Sequence, residues 1–462
     1  MGTPQDMVQT VQVDRLFHYA RRMALEGRIP LALEALGMSA QCDIAQGINM
    51  FDNLDNVSIL SEHYRELAEI TRQWAQIPPL VEVPPQGKIR LAYIMPNIID
   101  DTNAQTARLR GLVTNHDKDK YEVCVFSTEE FAARPYPLLW INQSLAGSDE
   151  RAPQTIKHFE TLGVKTYLAP VEGTMLDTAW EVSRAITTFR PHVAFYQGST
   201  ACPIMCLLAG WRLAPAQVSF NTGVPMYMRG LDLTLFASAY KLAKDMPKWN
   251  PAQGGLALIP PAVNEPDETP LRFALPPKGT DDVVMITLSN HPEKRLSDEF
   301  VGVMITVLKN NPTAKYWVVG TGNCEKQAKM FTVAGVAKQV LFFGGLNNPW
   351  PVLKAADIYV NEFPIGGAQS VMEAMSVGLP VVATVYSGKH QHSCGAGYIG
   401  KWAVSPYTPE AYVAKLDGLI KDKEARKLLG GEMLNYVNEH CRYATVTKEY
   451  EKVYERLLGV AR

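Results

Sequence analysis

The sequence predicts two doubly wound, Rossmann-like α/β domains preceded by a helical appendage, and three observations carry that expectation. The chain has 462 residues, more than one core usually organises, since single cores rarely grow past about 250–300 residues. From Lys88 onward, short β-branched runs alternate with helical stretches, the pattern of βαβ units and parallel sheets. Pro260, Pro261, Pro266, Pro270, Pro276 and Pro277, with Gly279, then divide the alternation into two series and read as an interdomain linker.

Residues 1–80 form the appendage. Leu60, Tyr64, Leu67, Ile70 and Trp74 recur at helical spacing, and Gly27 and Gly37 sit where helices stop. Such a stripe packs against the next domain or offers a docking surface for an acceptor, and packing is the commoner use. Prolines 78, 79, 84 and 85 close this region off. The first α/β domain is expected over 88–263, with strands at Ile89–Ile94, Tyr121–Ser127, Val164–Leu168, His192–Tyr196 and Gln217–Asn221, and with helices at Leu176–Phe189 and Cys202–Leu213. The second is expected over 281–440, with strands at Val283–Leu288, Tyr316–Val319, Val340–Phe343, Ile358–Val360 and Val381–Ala383. Residues 441–462 end the chain in an amphipathic helix marked by Val446, Tyr450, Val453 and Leu457. Paired domains of this kind bind ligands in a cleft at the carboxyl ends of their strands.

Composition narrows the function. Charged residues make up 20% of the chain and the net charge is only −2, which argues against a nucleic-acid-binding stripe. No apolar run approaches the length of a membrane span, and the first residues lack a secretory or lipidation signal. Seven scattered cysteines, an odd number, suit reduced thiols and a cytoplasmic protein. Cys202 and Cys206 are spaced i, i+4 with no third ligand nearby, so packing is favoured over zinc. Self-association is left open.

The chemistry concentrates in the second domain. A strand ends near Asn361, Gly366 and Gly367 permit close approach to a ligand, and a helix opens around Gln369, so amides and the helix dipole favour an anion. Glu373, one turn into that helix, suits ribose hydroxyls. The competing reading is a capping box made by Ser370 and Glu373. Asn290 to Arg295, after the domain's first strand, brings cations to the same sheet edge; Lys294 could neutralise a diphosphate leaving group, and Arg295 reads as a surface charge. Gly320 and Gly322 lack the third glycine of a dinucleotide fingerprint.

In this combination the chain resembles GT-B glycosyltransferases, specifically family 41: the O-linked N-acetylglucosamine transferases and the bacterial cytoplasmic N-glycosyltransferases. The likeness covers roughly residues 88–440. Phe363 to Gly367 followed by Glu373 looks like the family's FPFG-containing loop and ribose-binding acid, and Lys294 matches its diphosphate-binding lysine, with Asn290 four residues before. Gly388-Lys389-His390-Gln391-His392 is similar to a glycine-then-HEH segment, which implies that His390 and His392 approach the donor. Arg212, Pro215, Gln217 and Asp232 match an RxAPxQ run and a downstream aspartate, and Lys120 to Val123 matches a KFEV strand. The family's histidine after the first strand is replaced by Asp100-Asp101-Thr102, which leaves Asp100 or Asp101 as the candidate general base, or as a helix cap. Ile365 occupies the position, eight before Glu373, where retaining GT-B enzymes carry a glutamate.

The resemblance implies an inverting, metal-independent transfer of a hexose or N-acetylhexosamine from a UDP-sugar to a protein or glycan acceptor. Asn290, Lys294, Gly366, Gly367, Ala368, Gln369, Ser370, Glu373, His390 and His392 would bind the donor. A retaining transferase or a nucleotide-sugar epimerase is the rival of the same fold. A non-catalytic partner protein is the rival of another class.

Overall fold

A computed structural model describes residues 16, 18–45, 54–78, 80, 87–99, 103–132, 147–221, 226, 228–238, 242, 246, 249–271, 273–346, 348–385 and 394–460. The chain divides into two compact units: residues 1–237, 242–259 and 447–462 form one, and 238–241 with 260–446 form the other.

The first unit holds a seven-stranded parallel sheet ordered β3-β2-β1-β4-β5-β6-β7. Its strands are β1 (Ile89–Met95), β2 (Tyr121–Ser127), β3 (Lys165–Leu168), β4 (Val193–Tyr196), β5 (Ala216–Phe220), β6 (Leu233–Phe236) and β7 (Gly255–Leu258). Central strands β4 and β5 are buried along their whole length, as expected of a parallel sheet covered on both faces, whereas edge strands β3 and β7 are partly open. The sequence reading stops at β5. β6 and β7 are only four residues each, Thr234 spends a buried polar position on a hydrogen bond with Ser219, and Leu258 on β7 is 51% exposed, so neither gives a clean apolar period.

The appendage contributes helices Ile29–Ala45, which continues through Gly37 instead of stopping there, and Leu54–Trp74, and both share one hydrophobic cluster with helices Met175–Phe189 and Pro203–Trp211. Its apolar stripe packs within the first unit, against those helices, with a shift. Leu60, Tyr64 and Leu67 are buried as expected, but Ile70 and Trp74 are more than half exposed, and Ala68, Thr71 and Ala75 face inward instead. The 3.6-residue period rotates the stripe, and small residues let the helices approach. A Cβ on Gly210 would come within 2.6 Å of the Ala68 Cβ, so only glycine fits that crossing. Trp211, fully buried, donates its indole N–H to Thr71 Oγ1 at 3.1 Å.

The final helix, Tyr443–Leu457, belongs to the first unit from Thr447 onward. Its buried face is Tyr443, Val446, Thr447, Tyr450 and Tyr454; Val453 and Leu457, expected inside, are only partly covered. His116 clasps it, with Nδ1 2.9 Å from Glu451 and Nε2 2.6 Å from the Tyr93 hydroxyl, while Tyr121 donates to Glu455 at 2.9 Å.

The second unit holds a five-stranded parallel sheet ordered β10-β9-β8-β11-β12, comprising β8 (Val283–Leu288), β9 (Ala314–Val319), β10 (Val340–Gly344), β11 (Ile358–Val360) and β12 (Val381–Val382). Alternate residues feed two cores. Val284, Ile286 and Leu288 enter one with Tyr359 and Val381, and Val283 and Met285 enter the other with Ile358, Val360 and Val382. Strand order reverses between β8 and β11, which pair through Ile358 with Met285 and Tyr359 with Ile286. That reversal is where sheets of this type leave a crevice at their carboxyl edge. Among the described residues no helix is long and apolar enough to cross a membrane, and no group of three or more His, Cys, Asp or Glu could hold a metal ion. Cys202 and Cys206 are buried thiols whose pKa values burial pushes well up, in keeping with packing.

Candidate functional site

The two loops singled out from the sequence follow β8 and β11, the adjacent strands at the reversal. After β8, Ser289 donates its backbone N–H to Val319 and its hydroxyl accepts from His291 N at 3.2 Å. Pro292 then opens the short helix Pro292–Arg295, a position where its missing N–H costs nothing. Gln327 donates to the carbonyls of Glu293 and Leu296 at 3.1 and 3.2 Å, fixing the far end of this turn. Asn290 and Lys294 are exposed at this edge. Gly320 and Gly322 belong to the same construction rather than to a phosphate fingerprint: a side chain at 320 would strike Ser289 and Pro292, and one at 322 would strike Glu293.

After β11 the chain runs Asn361-Glu362-Phe363, crosses a cis peptide to Pro364, and reaches Gly366 and Gly367. Phe363 is an anchor in the core, with ring centroids 5.2 Å from Phe300, 4.8 Å from Tyr407 and 5.2 Å from Tyr412. Ser297 ties the two loops together: it caps helix Asp298–Asn310 by accepting from Phe300 N and donates to the Phe363 carbonyl at 2.9 Å. Both glycines are demanded by close approach. A Cβ at 366 would sit 2.6 Å from the Glu362 carbonyl oxygen, and one at 367 would collide with Ser370 Oγ.

Helix Gln369–Ser376 begins at Ala368, and no side chain caps it. The capping-box alternative is thereby overturned: Ser370 lies inside the first turn, where its hydroxyl is 2.8 Å from the Tyr359 hydroxyl, and Glu373 interacts with Gln369 one turn earlier. An uncapped helix start carries about half a unit of positive charge on its amides. Glu373 is partly exposed, yet burial holds its pKa up to about 7, against the lowering effect of its Gln369 hydrogen bond.

Arg295 is not the solvated charge its sequence position suggested. Its Nη1 lies 3.4 Å from Oε1 of Glu362, whose side chain is wholly buried, and the same nitrogen would be 3.4 Å from a Cβ at Gly367. Glu362 escaped the sequence reading; the available signal was an acidic residue placed between an apolar strand and a glycine pair. Gly395 packs beside Asn361 and the Gly367 carbonyl, so the chain returns to this loop three residues after His392. His390 and His392 themselves lie outside the described residues, as do Asp100 and Asp101. The family-like residues Arg212, Gln217 and Asp232 form a latch at the base of β5 and β6. Arg212 donates to the carbonyls of Gly230 and Pro215 at 2.8 Å and to Asp232 at 3.1 Å, and Gln217 N donates to Asp232 at 2.7 Å.

Residues 270–432 match the family model for glycosyl transferases group 1. Over 110 residues, 23% of this chain and 28% of the relative, the sequence is 31% identical to an uncharacterised glycosyltransferase of Methanocaldococcus jannaschii, so the match spans under a third of that curated relative. The chain is similar in fold to Thermobaculum terrenum O-GlcNAc transferase, solved as a lysine-to-methionine mutant, with a TM-score of 0.60, 15% identity, and coverage of 99% of this chain and 98% of that one. It is also similar to Anabaena Alr3699/HepE, solved in complex with UDP and glucose, with a TM-score of 0.56, 12% identity, and coverage of 80% and 100%.

Proposed function

For a chain that has the GT-B glycosyltransferase fold and carries a glycosyl transferases group 1 domain over residues 270–432, we propose inverting transfer of a hexose or N-acetylhexosamine from a UDP-sugar to a protein side chain, without a metal. One observation carries this reading: an uncapped helix start at Ala368–Ser370, on the loop after β11, stands at the sheet reversal next to the loop that bears Lys294.

In the proposed reaction the acceptor's attacking group forms a bond to the anomeric carbon as the bond from that carbon to the β-phosphate oxygen breaks. The leaving UDP gains negative charge on that phosphate, and the acceptor's proton passes to Asp100 or Asp101. Lys294 and the Ala368–Ser370 amides would stabilise the growing charge more than the ground state, which is what lowers the barrier. Glu373 would accept hydrogen bonds from the ribose hydroxyls, with Asn290, His390 and His392 completing the donor contacts. A shallow cavity of about 310 Å³ beside Pro292 is lined by Val318, Ala328 and Phe342 together with Asn323, Cys324 and Glu325. The described cysteines are free thiols, which suits a cytoplasmic setting.

Isothermal titration with UDP, followed by mass spectrometry of a panel of UDP-sugars with candidate acceptors and NMR assignment of the product anomer, tests the proposal. Binding of UDP and an inverted product are expected. A retained anomer would move the enzyme to the retaining class, and failure of the parent protein to bind UDP would leave the non-catalytic partner as the better reading.

A further inference from the structure

Glu362 is 2% exposed and its carboxylate is completely covered, a placement that disfavours an anion unless several donors surround it. Arg295 Nη1 lies 3.4 Å from Oε1 and Asn361 Nδ2 lies 3.3 Å from Oε2, and the backbone N–H groups of Gly367 and of Glu362 itself also favour the carboxylate; burial still outweighs these donors and pushes the carboxyl pKa up. Asn361 Nδ2 is also 3.1 Å from the Gly367 carbonyl oxygen. The residue Gly367 is thus gripped at both of its backbone polar groups, its N–H by Glu362 and its C=O by Asn361.

That grip answers a need created by the sequence. A glycine pair has no side chains with which to hold its own conformation and samples more backbone states than any other pair. The helix start that follows has no side-chain cap to fix it. Gly367 N–H faces inward to Glu362, so the amides left to meet a phosphate belong to the residues after it.

We propose that Glu362 is a positioning residue for the donor site: through Gly367 and Arg295 it holds the glycine loop so that the amides of Ala368, Gln369 and Ser370 point at the donor diphosphate. This rests on the donor reading above. Glu362 touches no substrate in this scheme and acts through the loop. A glutamine in its place keeps the shape but loses the charge that attracts Arg295 and turns an N–H toward Gly367 N–H in one of its two orientations.

Two measurements test the proposal. In the ligand-free protein, amide hydrogen exchange over residues 363–372 should accelerate about tenfold in Glu362→Gln, while β8 and β9 keep their protection. In titrations, Glu362→Gln should weaken UDP about tenfold and leave uridine, which has no phosphate, unchanged. Arg295→Ala should follow the same pattern and Arg295→Lys should restore much of the loss; these variants also serve if Glu362→Gln fails to fold. Unchanged exchange over 363–372 in the folded variants, equal losses for UDP and uridine, or tighter UDP binding in Glu362→Gln would overturn the assignment. Should the parent protein bind no UDP, the donor reading falls on that result, while the exchange data still judge whether Glu362 sets the loop.

Discussion

The carboxyl-edge loop after β11 and the Arg212 latch at the base of β5 and β6 use the same ingredients to opposite ends. In the latch, Arg212, Gln217 and Asp232 satisfy one another and the surrounding carbonyls: Gln217 Nε2 alone donates to both Ala209 and Gly230 at 2.8 Å, and its Oε1 accepts from Tyr196 and Leu213 N. In the β11 loop the helix start has no side-chain cap, two glycines keep side chains away, and Lys294 stands exposed on the neighbouring loop. Polar residues that saturate each other build a fold, whereas the proposed donor site would draw on backbone amides that no side chain caps. Both regions resemble the same family, so resemblance alone does not separate the two uses.

The largest expected effect tests the open end of that contrast. Lys294→Ala should lower kcat/KM by about 10²–10³, the scale of removing one fixed charge from a developing oxyanion. Thermal stability should hardly change, because the side chain is exposed. A large loss of stability with unaltered kinetics would make Lys294 part of the scaffold and erase the distinction.

Arg212→Ala tests the closed end. It removes hydrogen bonds to two carbonyls and an ion pair with Asp232 that is about a third exposed, so a loss of about 2–3 kcal/mol in urea unfolding is expected. UDP affinity of the folded protein should stay within twofold of the parent. A selective loss of UDP binding would give the latch a role in the donor site.

Much of this organisation is legible in the residues because parallel strands buried on both faces are continuous apolar runs. β8 and β11 stand where the sequence puts them, and so does the turn between Asn361 and Gln369. The misreadings have local causes. β6 and β7 are too short to show a period, and β7 lies at a sheet edge. Ile70 and Trp74 share a helical spacing with buried residues, yet Ala68, Thr71 and Ala75 occupy the tighter face because a helix crossing at Gly210 excludes larger side chains. Ser370 and Glu373 have capping-box spacing, but the helix begins at Ala368, two residues too early for Ser370 to cap it. Arg295 looked solvated because its partner, Glu362, is 67 residues away and no local pattern announces the pair.

The smallest expected effect concerns pH at Glu373, and it sharpens the claim that this region is built for a ligand. Burial raises the carboxyl pKa to about 7, so in the free protein the neutral and ionised forms are comparably populated near neutrality. The sign for stability follows: the contribution from burying the neutral form is complete below the ordinary carboxylate range and is lost as pH rises through about 7. The sign for binding is opposite, because the ionised carboxylate is the better acceptor for two ribose hydroxyls. UDP affinity should therefore rise severalfold, by at most about tenfold, between about pH 6 and 8. The terminal phosphate of UDP also titrates near pH 6, so Glu373→Gln is the reference: its affinity should show only the ligand's own slope. If titrations of parent and variant run parallel across that range, Glu373 does not meet the ribose, and its raised pKa records burial alone.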